Sequence, residues 1–186
     1  MQALTLLRIQ AHANRLANFR LQQAMAPLSA ADLHAPRTSF FPTLMATLNH
    51  IGAVDQYYIG ALYAETGLRE AWHTFVPATT LQEWGERQQH SDERLIHWLE
   101  RADAAALDAT VHMPRAADRV QTDAAAHVLQ HLFQHQTHHR GQVHTMLSGT
   151  AVAPPQLDEF LMPSEPHLRV PEMAALGWDE ARVYGR

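Results

Sequence analysis

The chain has 186 residues, of which 46% are hydrophobic and 18% charged, a globular composition that excludes a disordered chain and is long enough to bury a core without cross-links. Fourteen basic residues, all Arg and nowhere in a block, stand against 19 acidic ones for a net charge of −5. Duplex binding depends on phosphate neutralisation, so nucleic acid is not an expected partner. The absence of Cys removes disulfides, thiolate metal sites and cysteine nucleophiles.

The N-terminus, Met1-Gln-Ala-Leu-Thr-Leu-Leu-Arg8, lacks the basic start and unbroken apolar centre of a signal peptide. No apolar run approaches the roughly 18 residues of a membrane span, so a cytoplasmic protein without a membrane partner is expected. The first helix is predicted from Leu4 to Met25, with Leu7, Ala11, Leu16, Phe19 and Leu21 on its apolar side and Pro27 as its stop. Ser29-Ala-Ala-Asp32 reads as a capping box for one short turn. A second helix runs from Pro42 to Gly67 on Leu44, Leu48, Ile51, Tyr58, Ile59 and Leu62. Residues 68–79 read as a loop. Thr80-Leu-Gln-Glu83 then caps a third helix, to Arg101, built on Leu81, Trp84, Leu95, Trp98 and Leu99. Residues 104–121 read as loop, with Val111-His-Met113 as the one extended candidate. Thr122 is the expected cap of a fourth helix that ends at Ser148 before Gly149. A loop and short helix follow over 153–162.

These elements predict an all-α chain: an up-down-type four-helix bundle with a short extra helix over residues 1–162. Residues 163–186 form a tail too apolar for a linker, with Leu168, Val170, Met173, Leu176, Trp178 and Tyr184. It is expected to pack on the bundle or on a second subunit.

Fourteen His residues are the loudest feature of the composition, and six fall on the fourth helix, at 127, 131, 135, 138, 139 and 144. A spacing of four puts two imidazoles one turn apart on one face, within reach of a shared metal ion. Successive rungs drift by about 40° around the axis, so burial can select among them. Val128, Leu129, Leu132, Val143, Met146 and Leu147 define the apolar arc. His139 falls inside it and His135 at its edge, while His131, His127 and His138 lie progressively outside and His144 points away. On the second helix, His50 sits at the margin of the apolar face and is the candidate third ligand. Asp55 falls amid the apolar side, either as a partner orienting an imidazole or as a carboxylate satisfied by an Arg.

Asn49-His50-Ile51, then His135-x-x-x-His139-Arg140-Gly141-Gln142, then Pro154-Pro155-Gln-Leu-Asp158-Glu-Phe160 resemble the DinB family in order over roughly residues 5–162. The resemblance implies a four-helix bundle, a homodimer, and one divalent metal held by His50, His135 and His139. Asp55 and Arg140 are then candidates to support those ligands from outside. Tyr57, Phe75 and Trp178 are the aromatics expected at the surface where a dimer would form, unless the tail covers Phe75 and Trp178.

Three imidazoles suit Zn²⁺, Ni²⁺ or Fe²⁺ and not the oxygen-seeking Mg²⁺ or Ca²⁺, and they leave a coordination position open. The zinc-peptidase motif has Glu after its first His; here that residue is Gln136, which cannot take a proton. A Ser hydrolase elbow is absent, and the fourth helix lacks the Glu-x-x-His of di-iron bundles. The resemblance therefore implies a metal-dependent transferase or isomerase working with a small thiol cosubstrate. The alternative is a non-catalytic, stress-related bundle that binds metal or a partner, in keeping with the family's association with DNA-damage induction.

Overall fold

The computed structural model describes residues 3–158 and 162–184. Four long helices dominate it: α1 (Ala3–Met25), α3 (Leu44–Leu62), α5 (Leu81–Arg101) and α7 (Ala125–Leu147). Short helices α2 (Ala30–His34), α4 (Leu68–His73) and α6 (Ala104–Asp108) lie in the connectors, and α8 (Val170–Leu176) and α9 (Glu180–Tyr184) in the C-terminal segment. The chain is mostly helical, with one antiparallel hairpin, β1 (Thr110–Ala116) and β2 (Arg119–Ala124).

Local chemistry sets most boundaries. Ser29 and Asp32 form the reciprocal capping box that starts α2, and the Thr80 hydroxyl accepts from the Glu83 N–H to start α5. Thr43, one residue past Pro42, caps α3, so that helix is shorter than predicted at both ends. Residues 68–73 are helical where a loop was expected. Gly67 turns the chain at φ 75°, a left-handed conformation open to glycine, and α4 follows. The fourth long helix does not start from a Thr122 cap. Thr122 pairs with His112 in the hairpin, and the backbone ladder takes the groups a cap would have used. Val111 and Met113 point into the core from β1, and Pro114 sits at the strand's irregular end, where a missing N–H is tolerated. The short helix expected near 158–162 falls largely on residues outside those described.

In the packing, α1 lies against α5, α5 against α3, α3 against α7, and α7 against α1. Two apolar clusters fill the interior. One takes Ala11, Tyr57–Leu62, Leu95–Leu99 and Val128–Phe133; the other takes Leu21, Met25, Leu44–Leu48, Trp84 and Val143–Leu147. By that division α1 and α7 run from the first cluster to the second, and α3 and α5 run back. The helices therefore do not simply alternate. Residues 63–80 carry the chain the length of the molecule between α3 and α5, with Leu68 in one cluster and Ala78 in the other. The C-terminal segment covers the outer face of α1: Met173, Val183 and Tyr184 pack on Ala13, Leu16 and Ala17. This is why residues 11–18 of α1 are buried all round. Trp178 meets His12 edge-on in the same layer, and Tyr57 is buried, its hydroxyl donating to the Pro114 carbonyl. Tyr57 is thus not the exposed aromatic the sequence suggested, and Trp178 is half-buried within the tail's own layer. Phe75 is half-buried.

Candidate metal centre

Between the two apolar clusters the interior turns polar, and the histidines sit in that layer. His50 comes from the middle of α3, and His135 and His139 from successive turns of α7. Each offers a ring nitrogen, and the three nitrogens lie within 4.8 Å of one another. The His50 and His135 Nε2 atoms are 3.0 Å apart, and the His50 and His139 ring centroids 4.6 Å. The burial order on α7 follows the periodicity: His139 is buried, His135 half-buried, and His131, His127 and His138 exposed.

The electrostatics keep these rings in the state a metal requires, since only a neutral imidazole has a lone pair to give. Burial, with the neighbouring His139, pulls His50 down to about 4; burial and the same crowding of rings pull His135 to about 3. Burial lowers His139 as well, against a hydrogen bond to Gln142. That bond, His139 Nδ1 to Gln142 Oε1 at 2.8 Å, also fixes the tautomer. An amide oxygen only accepts, so Nδ1 carries the proton in this bond and Nε2 keeps its lone pair. The Nδ1 atom of His135 is buried with no hydrogen-bond partner. A cluster of three neutral, crowded nitrogen donors, one with its tautomer set, fits a divalent transition ion.

Asp55 and Arg140 lie in the same layer and hydrogen-bond to none of the three imidazoles. Asp55 is 1% exposed, and its Oδ2 accepts from Gln88 and Gln136 while Oδ1 has no partner. Arg140 donates to Asn14, Asn18 and Gln136. Asp92 on α5 accepts from Asn14, Asn18 and Gln88. All four long helices thus contribute to one buried network beside the histidines. Burial and the neighbouring Asp92 push the Asp55 carboxyl well above the usual range, and burial pushes Asp92 up to about 6. Burial lowers Arg140 to about 10, against the pull of both carboxylates. Gln136, the residue after His135, is fully buried and committed to Asp55 and Arg140.

Sequence reading quoted Gln142 in the run that begins at His135 but gave it no role, despite its i, i+3 step from His139, and it missed Asn14, Asn18, Gln88 and Asp92. Those four had a signal too, as polar pairs four apart on otherwise apolar faces. It also missed Phe41, whose ring stacks on His50 at 4.3 Å. Nothing in the periodicity of a connector could have placed that ring.

The model of the DinB family matches residues 3–169, and the chain belongs to that family. No curated protein matches it. Among the described residues no helix is long and apolar enough to cross a membrane.

Proposed function

We propose that this chain is a metal-dependent enzyme whose ion, Zn²⁺, Ni²⁺ or Fe²⁺, is held by His50, His135 and His139, and that it transfers or isomerises a substrate with the help of a small thiol. The observation that carries the reading is the convergence of three neutral imidazole nitrogens within 4.8 Å. When bound, such an ion acts as a Lewis acid and lowers the pKa of water or thiol at its open position. The chain's own residues supply the rest. His139 is oriented by Gln142. Gln136 turns away from the imidazoles into the buried network, so no general base stands where a metallopeptidase needs one. With no Cys in the chain, sulfur must arrive on the thiol.

A cation, Arg115, bonded through Nε to Gln121, is linked to His135 through Tyr58 and His131. The Arg115 guanidinium lies over Tyr57 and Tyr58, donates to the Tyr58 hydroxyl, and has no carboxylate partner among the described residues. Tyr58 reaches the centre through His131, at 4.9 Å, and His131 is 6.0 Å from His135. Arg115 can therefore pair with a carboxylate on the cosubstrate, which favours turnover over mere metal storage. The four long helices are read as a bundle running up-down-down-up, and the working form as a homodimer, which sedimentation at micromolar concentration checks.

The test is metal analysis of untagged protein. Occupancy near one ion per chain is expected, falling steeply in each of His50→Ala, His135→Ala and His139→Ala and unchanged in His127→Ala and His138→Ala. Loss in His131→Ala with retention in His139→Ala would overturn the ligand set. Thiols are then screened against electrophiles with the loaded protein, and an Arg115→Ala variant that turns over as well as wild type removes the carboxylate contact.

A further inference from the structure

Two phenylalanines stand beside the imidazoles and take no part in either apolar cluster. Phe41 stacks on His50, with ring centroids 4.3 Å apart and planes 30° from parallel, and lies 5.6 Å from His139. Phe40 meets Phe41 edge-on at 4.9 Å and is 82% exposed. A lone exposed apolar side chain is ordinary. A pair of rings in contact, one of them against two of the three candidate ligands, calls for a reason.

The segment that carries them is held at both ends. The capping box fixes α2, and Leu33 anchors that helix in the core. The Arg37 N–H donates to the Pro42 carbonyl at 2.7 Å, and the Arg37 guanidinium donates to the Asp32 carbonyl at 2.8 Å. Thr43 caps α3 at once after Pro42. Residues 38–41 are therefore the tip of a closed loop, which sets Phe41 against His50 and His139 and Phe40 outside it against Phe41.

Phe41 stacks on the face of the His50 ring and not on its edge. A metal ion binds an imidazole in the plane of the ring, along the nitrogen lone pair, whereas Phe41 covers a face of His50. The rim beyond His135 differs in character: His131, Tyr58 and Arg115 are polar or cationic. An apolar wall on one side and a polar one on the other would orient a molecule that has both kinds of group.

We infer that Phe40 and Phe41 form an apolar subsite of the centre, and that the molecule completing the metal's coordination carries an aromatic or branched aliphatic group packed on these rings. This rests on the metal reading above and adds the chemical class of the ligand. Water or another small hydrated ligand would gain nothing from the two rings. An apolar group beside the donor atom removes their surface from water and adds ring-on-ring contact, worth about 0.5–1.5 kcal/mol for an aromatic pair beyond area burial, or roughly two- to tenfold in affinity.

The experiment uses the full, untagged chain loaded with Co²⁺ and reads the thiolate-to-cobalt absorption band. Two probe thiols are titrated, phenylmethanethiol and 2-mercaptoethanol, which bring the same donor atom with and without the apolar group. Wild type is expected to prefer phenylmethanethiol by about tenfold. Phe40→Ala, at a position too exposed to disturb folding, should cut that ratio at least about threefold with cobalt content unchanged; Phe41→Ala should cut it further, and Phe41→Leu should restore part of it. No preference in wild type, or the same preference in wild type and both alanine variants, overturns the inference while leaving the metal reading intact. An unchanged preference in Phe40→Ala together with a change in sedimentation assigns the rings to a contact between chains and overturns it too. A wild-type protein that takes up no Co²⁺ overturns the metal reading, and the subsite with it.

Discussion

Replacing Arg140 with Met should destabilise the protein by about 3–5 kcal/mol, because it removes one half of a buried ionic network and leaves the other half in place. Arg140 is 7% exposed and donates to the side-chain oxygens of Asn14, Asn18 and Gln136. The two Asn residues cannot turn to each other, since their amide groups already donate to Asp92. Met matches the length of the Arg stem but supplies no proton, so three acceptors lose a donor and Asp55 and Asp92 lose a countercharge; Arg15 still acts on Asp92. In a chain of this size the loss corresponds to a fall in melting temperature of roughly 6–20 °C. Denaturant unfolding at several pH values is the sharper assay. Both carboxyls have folded-state pKa values above the unfolded one, 3.8, with Asp92 at about 6 and Asp55 well raised. A folded state that keeps protons the unfolded state has released loses stability as pH rises through that window. Below pH 4 both groups are protonated in either state, and Arg140→Met then costs only hydrogen bonds. The deficit should therefore be smallest near pH 4 and grow towards pH 7. A deficit under about 1 kcal/mol, or one flat across that range, would refute an ionised Arg140 as the counterion of the layer.

Three further outcomes follow from the same layer. Asp55→Asn keeps an oxygen for the Gln88 and Gln136 donors and removes a carboxyl whose charged form burial disfavours, so its stability at pH 7 should lie within about 1 kcal/mol of wild type or above it, as chemical denaturation would show. Gln142→Ala frees the His139 tautomer and should weaken metal binding about 10–100-fold in a chelator competition without abolishing it, a range seen when partners of metal-bound His are removed. His50 and His135 have folded-state pKa values of about 4 and about 3, below the ordinary 6.5. The unfolded state then binds protons that the folded state refuses between those limits, so the metal-free protein should lose stability as pH falls from 6.5 towards 4, and His135→Ala should flatten that slope.

The helices were legible because their signals are local. Thr80 and Ser29 are followed three residues later by Glu83 and Asp32, and both caps form. The candidate ligands were legible for a related reason: His135 and His139 lie on one continuous helix, so the angle between each ring and the apolar arc depends only on counting residues. The hairpin over 110–124 was not, because its pairing is a contest between Thr122 as a helix cap and Thr122 as a strand residue, and only the partner strand decides it. Nor was the return of the chain over 63–80, which no periodicity encodes. The polar layer falls between these cases. Asn14 with Asn18, Gln88 with Asp92, and Gln136 with Arg140 are each a polar pair one turn apart on a long helix, and Asp55 is a lone carboxylate on an apolar face. Taken one helix at a time, each looks like a defect in amphipathicity. Four helices with the same defect at mid-height can satisfy it only against one another, and doing so fixes how far each helix slides along its neighbours. The Gln136 bond to Asp55 joins α7 to α3 one residue from His135 and five from His50. The same register that pairs the buried amides and carboxylates therefore brings the imidazoles of the two helices together.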